Sequence, residues 1–532
     1  MSIKKIISII LAGVMAASLV SCGEEQSSSD GVMKITWMGF PMDADGKADG
    51  YVEKTIEERF NVDIEPVFIR YSEYTDQKTM MFAGGKVPDV IYEMDPSHVQ
   101  ADADQGFLAK LDYSKIKEKA PDIFNVINDN QPLAWLYSRA EDENYGIPNL
   151  NYANDNIKIG VWREDWLKNV GIDKIPDTVD EMGEALNKLT YNDPDGNGKN
   201  DTYGMSGTLA WNGMFIDIFG AYNSLPFGWI EKDGKVVYGG LQDETKDALT
   251  KLAEWYADGV IHPDFITDST SGTVKEKFVN GQIGYISEMG GYYDKTDVNA
   301  FQNLTMSLNP EAVITNAAPV QGPEGHRGSR IWGSACHIGT FGSQLEKDEA
   351  KLDKILEILN TMVADEELML KLRIGEEGTH WKLKDGAADI SEGIEFIAPY
   401  DDTITRTSEG FVYNFGSPSF FMPVTPTKAS YEKYTLKEMT ETYKAAAKDS
   451  VGMVDAFMKA DTLPSSTKYF NDLRTKQIKL MSEVILGDKT ADQYMSEFKA
   501  LWEQYGGLEL EADAQNMQNV ISDIYASVGI TE

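Results

Sequence analysis

The sequence predicts an α/β protein with parallel strands and more than one lobe, and three observations support this prediction. Strand and helix patterns alternate from residue 32 to residue 94, which is typical of parallel strands joined by right-handed crossovers. The chain of 532 residues is too long for a single hydrophobic core. A polar, turn-rich stretch at residues 144–156 precedes a new strand and helix pattern, and we interpret it as the first crossing into a second lobe.

The first lobe opens with three strand patterns, at residues 32–40, 61–69 and 87–94. The helix pattern at residues 51–60 repeats its apolar residues every four positions, and the pattern at residues 74–85 ends in two glycines. These five elements predict the order strand, helix, strand, helix, strand.

The carboxyl ends of the first and third strands are predicted to border a ligand cleft, because ligands of parallel sheets bind beyond those ends. This places residues 37–40 and 93–95 near the cleft. Trp37 and Asp95 are therefore candidate ligand-binding residues.

The N-terminus has the pattern of a bacterial lipoprotein signal. A basic start precedes an uncharged apolar run at residues 6–20, which is shorter than the roughly 20 residues of a membrane-spanning helix. Small Ser21 precedes Cys22, and residues 19–22 resemble the lipobox, in which the cysteine is diacylated and becomes the new N-terminus. Because two acyl chains anchor a protein durably, we expect a lipid-anchored protein on the extracellular side of the cell membrane. An ordinary signal peptide or an uncleaved anchor is the alternative interpretation.

The chain is strongly acidic, with a formal net charge of −37. Such a surface repels nucleic acid phosphates and anionic lipid headgroups, so neither is an expected partner. The charge also disfavours polyanionic ligands unless a local basic pocket overrides it. Cys336 is the only other cysteine, so we expect no intramolecular disulfide once Cys22 is acylated.

Residues 191–204, YNDPDGNGKNDTYG, match the first half of a calcium-binding loop. Oxygen ligands are expected at positions 1, 3, 5, 7 and 9, and Gly198 at position 6 permits the sharp turn. These ligands are Asp193, Asp195, Asn197, the Lys199 carbonyl and Asp201. Position 12 is Gly204 instead of the usual bidentate Glu, so a closing ligand has to come from elsewhere. The loop carries neither a His nor a nucleophile, so we predict a structural Ca²⁺, with a metal-free Asn/Asp/Gly turn as the alternative.

Motifs for catalysis are missing from the sequence. We find no GxSxG, HExxH or Walker A pattern, and the five histidines are scattered. Cys336 and His337 are adjacent, but neighbours on a strand point to opposite faces. Paired carboxylates are uninformative among 86 acidic residues. We therefore predict that the protein is not an enzyme.

Aromatic residues in glycine-flanked or turn-rich surroundings indicate a carbohydrate site, because flat rings stack on sugar faces and nearby polar groups bind hydroxyls. The candidates are Trp37, Trp162, Arg163, Trp211, Tyr292, Tyr293, Trp332 and Trp381. Each of these aromatics has a core position as its alternative interpretation. Four other tryptophans fit apolar helix faces and are predicted to be core: Trp135, Trp166, Trp255 and Trp502.

Six segments in order resemble the extracellular solute-binding lipoproteins of ABC importers, specifically the large oligosaccharide-binding type. They are YTDQKTMMFAGGKVPDVIYEM at 74–94, GFLAKLD at 106–112, VWREDWLKNVGIDKIPDTVDEM at 161–182, the calcium-type loop at 193–204, KFVNGQIGYI at 277–286 and RIGEEGTHWKL at 373–383. The resemblance covers nearly the whole chain after the signal. It implies a periplasmic-binding-protein-like fold, with two α/β lobes joined by hinge strands and a cleft between them.

The resemblance divides the chain as follows: residues 1–21 signal peptide, 22–31 tether, 32–150 lobe 1, 151–295 lobe 2, 296–395 the return to lobe 1, and 396–532 a mostly helical segment belonging mainly to lobe 2. Helical patterns support this division at residues 243–259, 347–363, 431–458 and 475–528.

The resemblance also implies a function and partners. We expect a monomeric receptor that captures an oligosaccharide by hinge closure and delivers it to the transmembrane subunits of an ABC permease. Two alternatives stay open. A secreted glycosidase would cleave its sugar, and a binding protein for peptides or lipids would have a more apolar cleft.

Overall fold

A computed structural model describes residues 31–40, 45–208, 210, 213–268, 270–289, 300–412, 415, 419–459 and 462–530. The strands within these ranges are β1 Met33–Gly39, β2 Val62–Phe68, β3 Val90–Glu93, β4 Arg139–Ala140, β5 Glu143–Asn144, β6 Gly146–Leu150, β7 Lys158–Arg163, β8 Tyr203–Met205, β9 Trp229–Lys232, β10 Lys235–Tyr238, β11 Ile283–Met289, β12 Ile314–Ala317, β13 Gly328–Arg330, β14 Ala335–Phe341, β15 Trp381–Leu383, β16 Ile394–Phe396 and β17 Val451–Met453.

The helices come from the same ranges. They are α1 Tyr51–Phe60, α2 Tyr74–Ala83, α3 Pro96–Asp104, α4 Tyr113–Lys119, α5 Pro121–Asn130, α6 Glu164–Asn169, α7 Val179–Tyr191, α8 Ile216–Ala221, α9 Asp243–Ala257, α10 Ser271–Val279, α11 Phe301–Leu308, α12 Glu349–Ala364, α13 Glu366–Ile374, α14 Thr403–Ser408, α15 Lys428–Tyr434, α16 Lys437–Ala446, α17 Ser466–Ile485, α18 Ala491–Gln504 and α19 Gly507–Val528.

The sheet of lobe 1 has the order β2-β1-β3-β14-β6. Strand β1 runs parallel to β2 and to β3, whereas β14 is antiparallel to β3 and β6. The three predicted strands and the two helices between them are therefore confirmed, and so is their parallel arrangement. Hydrophobic periodicity was a sufficient basis for this prediction because β1 and β3 are buried along most of their length.

The sheet of lobe 2 has the order β12-β7-β11-β8. Strand β7 lies between the antiparallel strands β12 and β11, and β8 runs parallel to β11. On one face of this sheet a separate small core forms, in which Ile159 and Val161 of β7 pack with Phe278 and Ile283. Helix α7 covers β8 and β11.

The return to lobe 1 near residue 296 is an approximate boundary and stays a prediction. Strand β12 pairs with β7, so residues 314–317 still belong to the lobe 2 sheet. The chain re-enters the lobe 1 sheet only with β14, at Ala335. The sequence could not reveal this, because an edge strand as short as four residues has too little periodicity to be assigned to a particular sheet.

The C-terminal segment packs against both lobes. Around residue 420 the chain still packs on lobe 1, where the indole of Trp37 donates to the Phe420 carbonyl. Helices α17 and α18 pack on α9 of lobe 2. Helix α19 contacts both lobes, because Gln515 donates to Val236 of β10 and Asn128 of α5 donates to Val528. The helix predicted over residues 431–458 is instead two short helices followed by β17.

Candidate ligand site between the lobes

Two extended segments cross side by side between the lobes. The amide of Asn151 donates to the Ser334 carbonyl at 2.6 Å, and the amide of Trp332 donates to the Asn154 carbonyl at 3.1 Å. A third connection lies beside them, where the amide of Leu150 donates to Thr425 Oγ1 at 2.7 Å. A small set of backbone dihedrals in these segments can therefore change the angle between the lobes.

A cavity with a mixed polar and apolar lining lies at the edge of the lobe 2 sheet, next to these crossing segments. Strand β7 begins there with Lys158, and the parallel strands β8 and β11 end there. The empty space at this cavity amounts to about 430 Å³, a volume that includes open solvent. We call it the lobe 2 pocket, and its charged and hydroxyl-bearing lining residues are Lys158, Ser206, Thr208, Asp217, Lys275, Tyr285, Ser287 and Glu288.

The loop after β8 and helix α8 together shape the pocket floor. Phe215, immediately before α8, has φ +41°, a left-handed value that is uncommon for a residue with a side chain. Gly207 lies against it, and a Cβ at that position would approach the Phe215 ring to 2.3 Å. This close packing brings Asp217, in the first turn of α8, into the pocket.

Asp217 and Tyr285 form the best-defined contact in the pocket. The Tyr285 hydroxyl donates to Asp217 Oδ2 at 2.6 Å, and only 3% of Asp217 is exposed. Burial raises the pKa of Asp217 above its ordinary value, although the hydrogen bond from Tyr285 opposes the shift. The Trp162 ring supports Tyr285 from the neighbouring strand, with the ring centroids 4.5 Å apart.

The second pocket carboxylate, Glu288, is held in an ion pair. Lys275 Nζ lies 2.8 Å from Glu288 Oε2, whose side chain is 4% exposed. Three other polar groups of the pocket are available to a ligand. Ser206 Oγ and Ser287 Oγ are buried atoms without a hydrogen-bond partner, and Lys158 makes no ion pair within the described part of the chain.

The matching edge of lobe 1 carries a buried charge network at the end of β3. Glu93 is fully buried and accepts from Lys78, from the Met94 amide and from His98 Nδ1, the last at 2.9 Å. Burial alone would raise the pKa of Glu93, but the hydrogen bonds and charges of His98 and Lys78 outweigh it and lower the pKa to about 2. The hydrogen bond to Glu93 raises the pKa of His98.

An aromatic cluster lies beside this network. Phe40, which follows β1, contacts the rings of Tyr71, Tyr92 and His337, with centroids 5.2 to 6.2 Å apart. Tyr71 is 57% exposed and is the member of this cluster that offers a ring face to solvent. Tyr92 and His337 also share a hydrogen bond of 2.7 Å.

Cys336 and His337 do not form an activated nucleophile. Burial raises the pKa of the Cys336 thiol to about 11, and burial lowers the pKa of His337 to about 3. Both groups are therefore held neutral, the opposite of the thiolate and imidazolium that a cysteine nucleophile needs.

Several predicted ligand residues have structural positions instead. Trp37 is completely buried and Trp381 is 6% exposed, and their indole groups donate to the carbonyls of Phe420 and Gly375. Arg163 is buried and forms a bidentate pair with Asp165, at 3.0 and 2.6 Å. These side chains offer no accessible ring face or free donor in the structure, because the lobe cores enclose them.

Three predicted ligand residues lie at the edges of the lobes. Trp162 is buried beneath Tyr285, so it lies next to the pocket without lining it. Asp95 accepts hydrogen bonds from the amide and the hydroxyl of Ser97 and thereby caps α3. Trp332 is partly buried on the crossing segment, where the Arg330 guanidinium lies 4.2 Å from its ring centroid.

Three further aromatic candidates and the lipidation candidate lie outside the described residues. They are Trp211, Tyr292, Tyr293 and Cys22. The four predicted core tryptophans are confirmed, since Trp135, Trp166, Trp255 and Trp502 are each at most 5% exposed.

The calcium-type loop bonds mainly to itself. Asn197 Nδ2 donates to Asp195 Oδ2 at 2.7 Å and to Asp201 Oδ1 at 3.1 Å, and the Gly198 amide donates to Asp193 Oδ2 at 3.0 Å. In the described ranges, no group of three or more His, Cys, Asp or Glu side chains is close enough together to hold a metal ion. Asp193 Oδ1, however, is buried without a hydrogen-bond partner, as an oxygen meant for a cation would be.

The structure explains why this loop lacks a glutamate at its twelfth position. Gly204 lies in β8 directly against α7, and a Cβ there would approach the Leu186 backbone to 2.8 Å. The Gly204 amide also donates to Thr190 Oγ1 at 2.9 Å, and this hydrogen bond fixes the backbone of Gly204 against α7. A closing carboxylate at this position is therefore sterically excluded.

Sequence reasoning missed the pocket residues themselves. Asp217, Lys158, Lys275 and Glu288 lie in segments without a distinctive motif. The sequence did contain one usable signal. Tyr285 lies near the end of the segment 277–286 and Ser287 directly follows that segment, and the ends of such strands border ligand sites. The pattern could not show which side chains pair with one another, because those pairs join residues as far as 68 positions apart.

These features define a two-lobed binding protein with a polar pocket beside its hinge. The family profile of the bacterial extracellular solute-binding proteins matches residues 43–333, more than half of the chain. The chain belongs to this family, and the family prediction is confirmed.

Two relatives from Bacillus subtilis (strain 168) are similar over most of the chain. Lipoprotein LipO is 28% identical over 392 residues, which cover 72% of this chain and 74% of LipO. The polygalacturonan/rhamnogalacturonan-binding protein YtcQ is 24% identical over 537 residues, which cover 95% of this chain and 97% of YtcQ.

A solved structure shows the same fold. The substrate-binding protein FusA of an ABC transporter from S. pneumoniae, in complex with kestose, superposes with a TM-score of 0.68 at 16% identity, covering 92% of this chain and 99% of FusA. An EF-hand mutant of FusA in complex with fructo-nystose superposes equally well. The predicted two-lobed α/β fold is thereby confirmed.

Proposed function

We propose that this solute-binding protein captures an oligosaccharide between its lobes and delivers it to an ABC permease. The observation that carries the proposal is the lobe 2 pocket, in which a tyrosine ring, unpartnered hydroxyls and a lysine meet at the edge beside the hinge. Such groups suit a ligand that is covered with hydroxyls and has flat apolar ring faces. Similarity to YtcQ, whose name gives two polysaccharides as its ligands, and to FusA with bound kestose supports this class of ligand.

Closure of the hinge would allow the permease to recognise the protein that has bound a sugar. A sugar held by the lobe 2 pocket would also meet the lobe 1 edge, where exposed Tyr71 lies beside Phe40. Contacts to both lobes favour the closed form only when the ligand is present, because only that form makes both sets. The permease can thus distinguish loaded from empty protein.

We propose that binding occurs without bond cleavage. A glycosidase needs one carboxyl group free to donate a proton and a second one free to act as a nucleophile or base. In the pocket, Asp217 is bonded to Tyr285 and Glu288 is paired with Lys275. The lining also carries charged and hydroxyl groups instead of a continuous apolar wall, which argues against a lipid ligand.

Anchoring through a diacylated Cys22 completes the proposed function. Its support is the lipobox-like sequence and the similarity to LipO, a protein named as a lipoprotein. Among the described residues, none of the helices combines the length and the apolar character needed to cross a membrane. Metabolic labelling with a radioactive fatty acid tests the anchor: the intact chain should take up label and Cys22→Ser should not.

A structural Ca²⁺ in the loop at residues 193–201 is a further part of the proposal. Asp193, Asp195, Asn197, Asp201 and the Lys199 carbonyl would hold it, and it would offset the repulsion among the three carboxylates. Two observations support this fit. Asp193 Oδ1 is buried without a hydrogen-bond partner, and burial together with the neighbouring acids raises the pKa of Asp195. FusA, which shares the fold, is described as having an EF-hand.

Equilibrium dialysis with mass analysis tests the function directly. The purified protein is dialysed against neutral and acidic oligosaccharides, and the retained sugars are then released and weighed. Retention of one sugar class at unchanged mass supports a receptor. Fragments of the sugar would make the protein an enzyme, and retention of none would remove carbohydrates from consideration.

A further inference from the structure

We infer that the lobe 2 pocket recognises a carboxylate on its oligosaccharide, and hence that the ligand belongs to the uronic-acid-containing class. Lys158, Ser206 and Ser287 are the residues that the structure assigns to this recognition. The inference rests on the proposed function and adds to it the chemical character of the sugar.

The carboxylates of the pocket already have donors. Asp217 accepts from the Tyr285 hydroxyl and from the backbone amides of Asp217 and Ile218. Glu288 accepts from Lys275. The hydroxyl of Thr208 donates to the Asp268 carbonyl at 2.7 Å. A ligand that approaches these carboxylates through its own hydroxyl donors therefore has to share their oxygens with the donors already present.

Three other groups of the pocket can each donate a hydrogen bond to a ligand. Lys158 has an ammonium with three N–H donors and makes no ion pair within the described ranges. Ser206 is 5% exposed, yet its Oγ has no hydrogen-bond partner, and the same is true of the buried Ser287 Oγ. A buried hydroxyl without a partner is costly, and a ligand atom that bonds to it would remove that cost.

A carboxylate matches this set better than a neutral hydroxymethyl group does. It has two oxygens that can accept up to four hydrogen bonds and donates none, so it can satisfy the ammonium and both hydroxyls at once. A hydroxymethyl group at the same place would bring no charge to oppose that of Lys158, which otherwise acts on Asp217.

The affinities of matched sugars test the inference. Short α- and β-linked uronic acid oligomers are compared by calorimetry with the neutral hexose oligomers of the same linkage, which differ only at the sixth carbon. An acidic member should bind at least about 10-fold more tightly than its neutral counterpart, since a hydrogen bond to a charged group typically gives a factor of about 10 to 100. Equal or tighter binding of the neutral sugar overturns the inference and leaves the proposed function intact. If no sugar of either kind binds, the proposed function itself fails.

Titration with inorganic phosphate and sulfate tests whether the pocket binds any anion or specifically a carboxylate on a sugar. Each is titrated alone at the concentrations used for the sugars. Weak binding or none supports recognition of a carboxylate within a sugar. Binding as tight as that of the acidic oligomer would mean a general anion site and would overturn the assignment.

Substitution of Lys158 tests its role. Lys158→Met should reduce affinity for the acidic oligomer by about 10-fold to 100-fold and change affinity for the neutral one much less. Lys158→Arg retains the charge and should keep most of the preference, which also guards against a variant that fails to fold. Lys86→Met is the matched control, because Lys86 is exposed on lobe 1 and makes no ion pair within the described residues. An unchanged preference in Lys158→Met would contradict the inference.

Discussion

The hydroxyl of Tyr285 on β11 donates to the buried carboxylate of Asp217 on α8 at 2.6 Å. This bond joins the central part of the lobe 2 sheet to the helix that closes the pocket floor. Trp162 on the adjacent strand fixes the tyrosine ring from below. The bond therefore couples the stability of lobe 2 to the shape of the ligand site.

Tyr285→Phe should destabilise the protein and weaken ligand binding together. The change removes one hydrogen bond from a carboxylate that is 3% exposed, and such a loss typically costs about 1–3 kcal/mol in the free energy of unfolding. The pKa of Asp217, which burial already raises, should rise further. Urea unfolding measures the stability loss. Tyr191→Phe serves as the control, since Tyr191 is 50% exposed and its hydroxyl donates to the carbonyl of Asp258. Equal losses of stability in the two variants would contradict the account.

Lys275→Met should destabilise the protein more than the loss of a surface pair does. The substitution removes the ammonium partner of Glu288, whose side chain is 4% exposed, and we expect a cost of about 2–3 kcal/mol. Lys382→Met is the matched control, because the Lys382–Glu395 pair is about half exposed at 57% and 49% and should contribute less than about 1 kcal/mol. Chemical unfolding of both variants measures the difference, and similar losses would show that the Glu288 pair is unimportant.

Stability should fall on acidification because of Glu93. Its folded-state pKa of about 2 lies below the ordinary value of 4.5, so its contribution is fully present above pH 4.5 and is lost as the pH falls from 4.5 toward 2. The shift corresponds to roughly 3 kcal/mol. The free energy of unfolding of Glu93→Gln should therefore change less than that of the wild type between pH 5 and pH 3. An equally steep loss in both proteins would rule out Glu93 as the cause.

His98 should act in the opposite pH direction. Its pKa is raised in the folded state, so its contribution is fully present below pH 6.5 and is lost as the pH rises through the folded-state value. Both titrations belong to the same network beneath α3, so stability at this edge of the cleft should be greatest between about pH 4.5 and 6.5.

Much of the fold could be predicted from the sequence, and the reasons are physical. Strands β1 and β3 are buried along most of their length, and the hydrophobic patterns of β1 to β3 identify these strands together with their parallel pairing. The pairing of β12 with β7 could not be predicted, because the sequence pattern of a short edge strand does not identify its partner strand. The contacts of α19 could not be predicted from the sequence either. They involve β10 and α5, which are more than 100 residues apart in the chain.

The candidate site was less predictable than the fold. Large aromatics such as Trp37 and Trp381 fit a sugar-stacking composition, yet they fill the cores of the lobes. Burial depends on which elements meet in three dimensions, and composition does not contain that information. The small residues Ser206 and Ser287 carry no sequence signal, although they provide the free hydroxyls of the pocket. The principle that ligands bind at strand ends predicts the same sheet edges at which the candidate site lies.

Removal of calcium should lower the thermal stability of the protein. If Ca²⁺ at 100 times its dissociation constant occupies the loop, it stabilises the fold by about 2.7 kcal/mol. A chelator should therefore lower the unfolding temperature of the wild type, and added Ca²⁺ should restore it. Asp193→Asn combined with Asp195→Asn should abolish the response, whereas Asp142→Asn, which alters a fully exposed acid, should retain it. A wild type that is indifferent to the chelator would contradict the calcium proposal.

Thermal unfolding of the purified protein against a panel of oligosaccharides, with Ca²⁺ present, tests the central claim most directly. A sugar at 100 times its dissociation constant should stabilise the wild type by about 2.7 kcal/mol. The account predicts an upward shift of the unfolding temperature with one class of oligosaccharide, a smaller shift in Tyr285→Phe, and recovery of the sugar intact. No shift with any oligosaccharide would contradict the claim that this protein is a carbohydrate receptor.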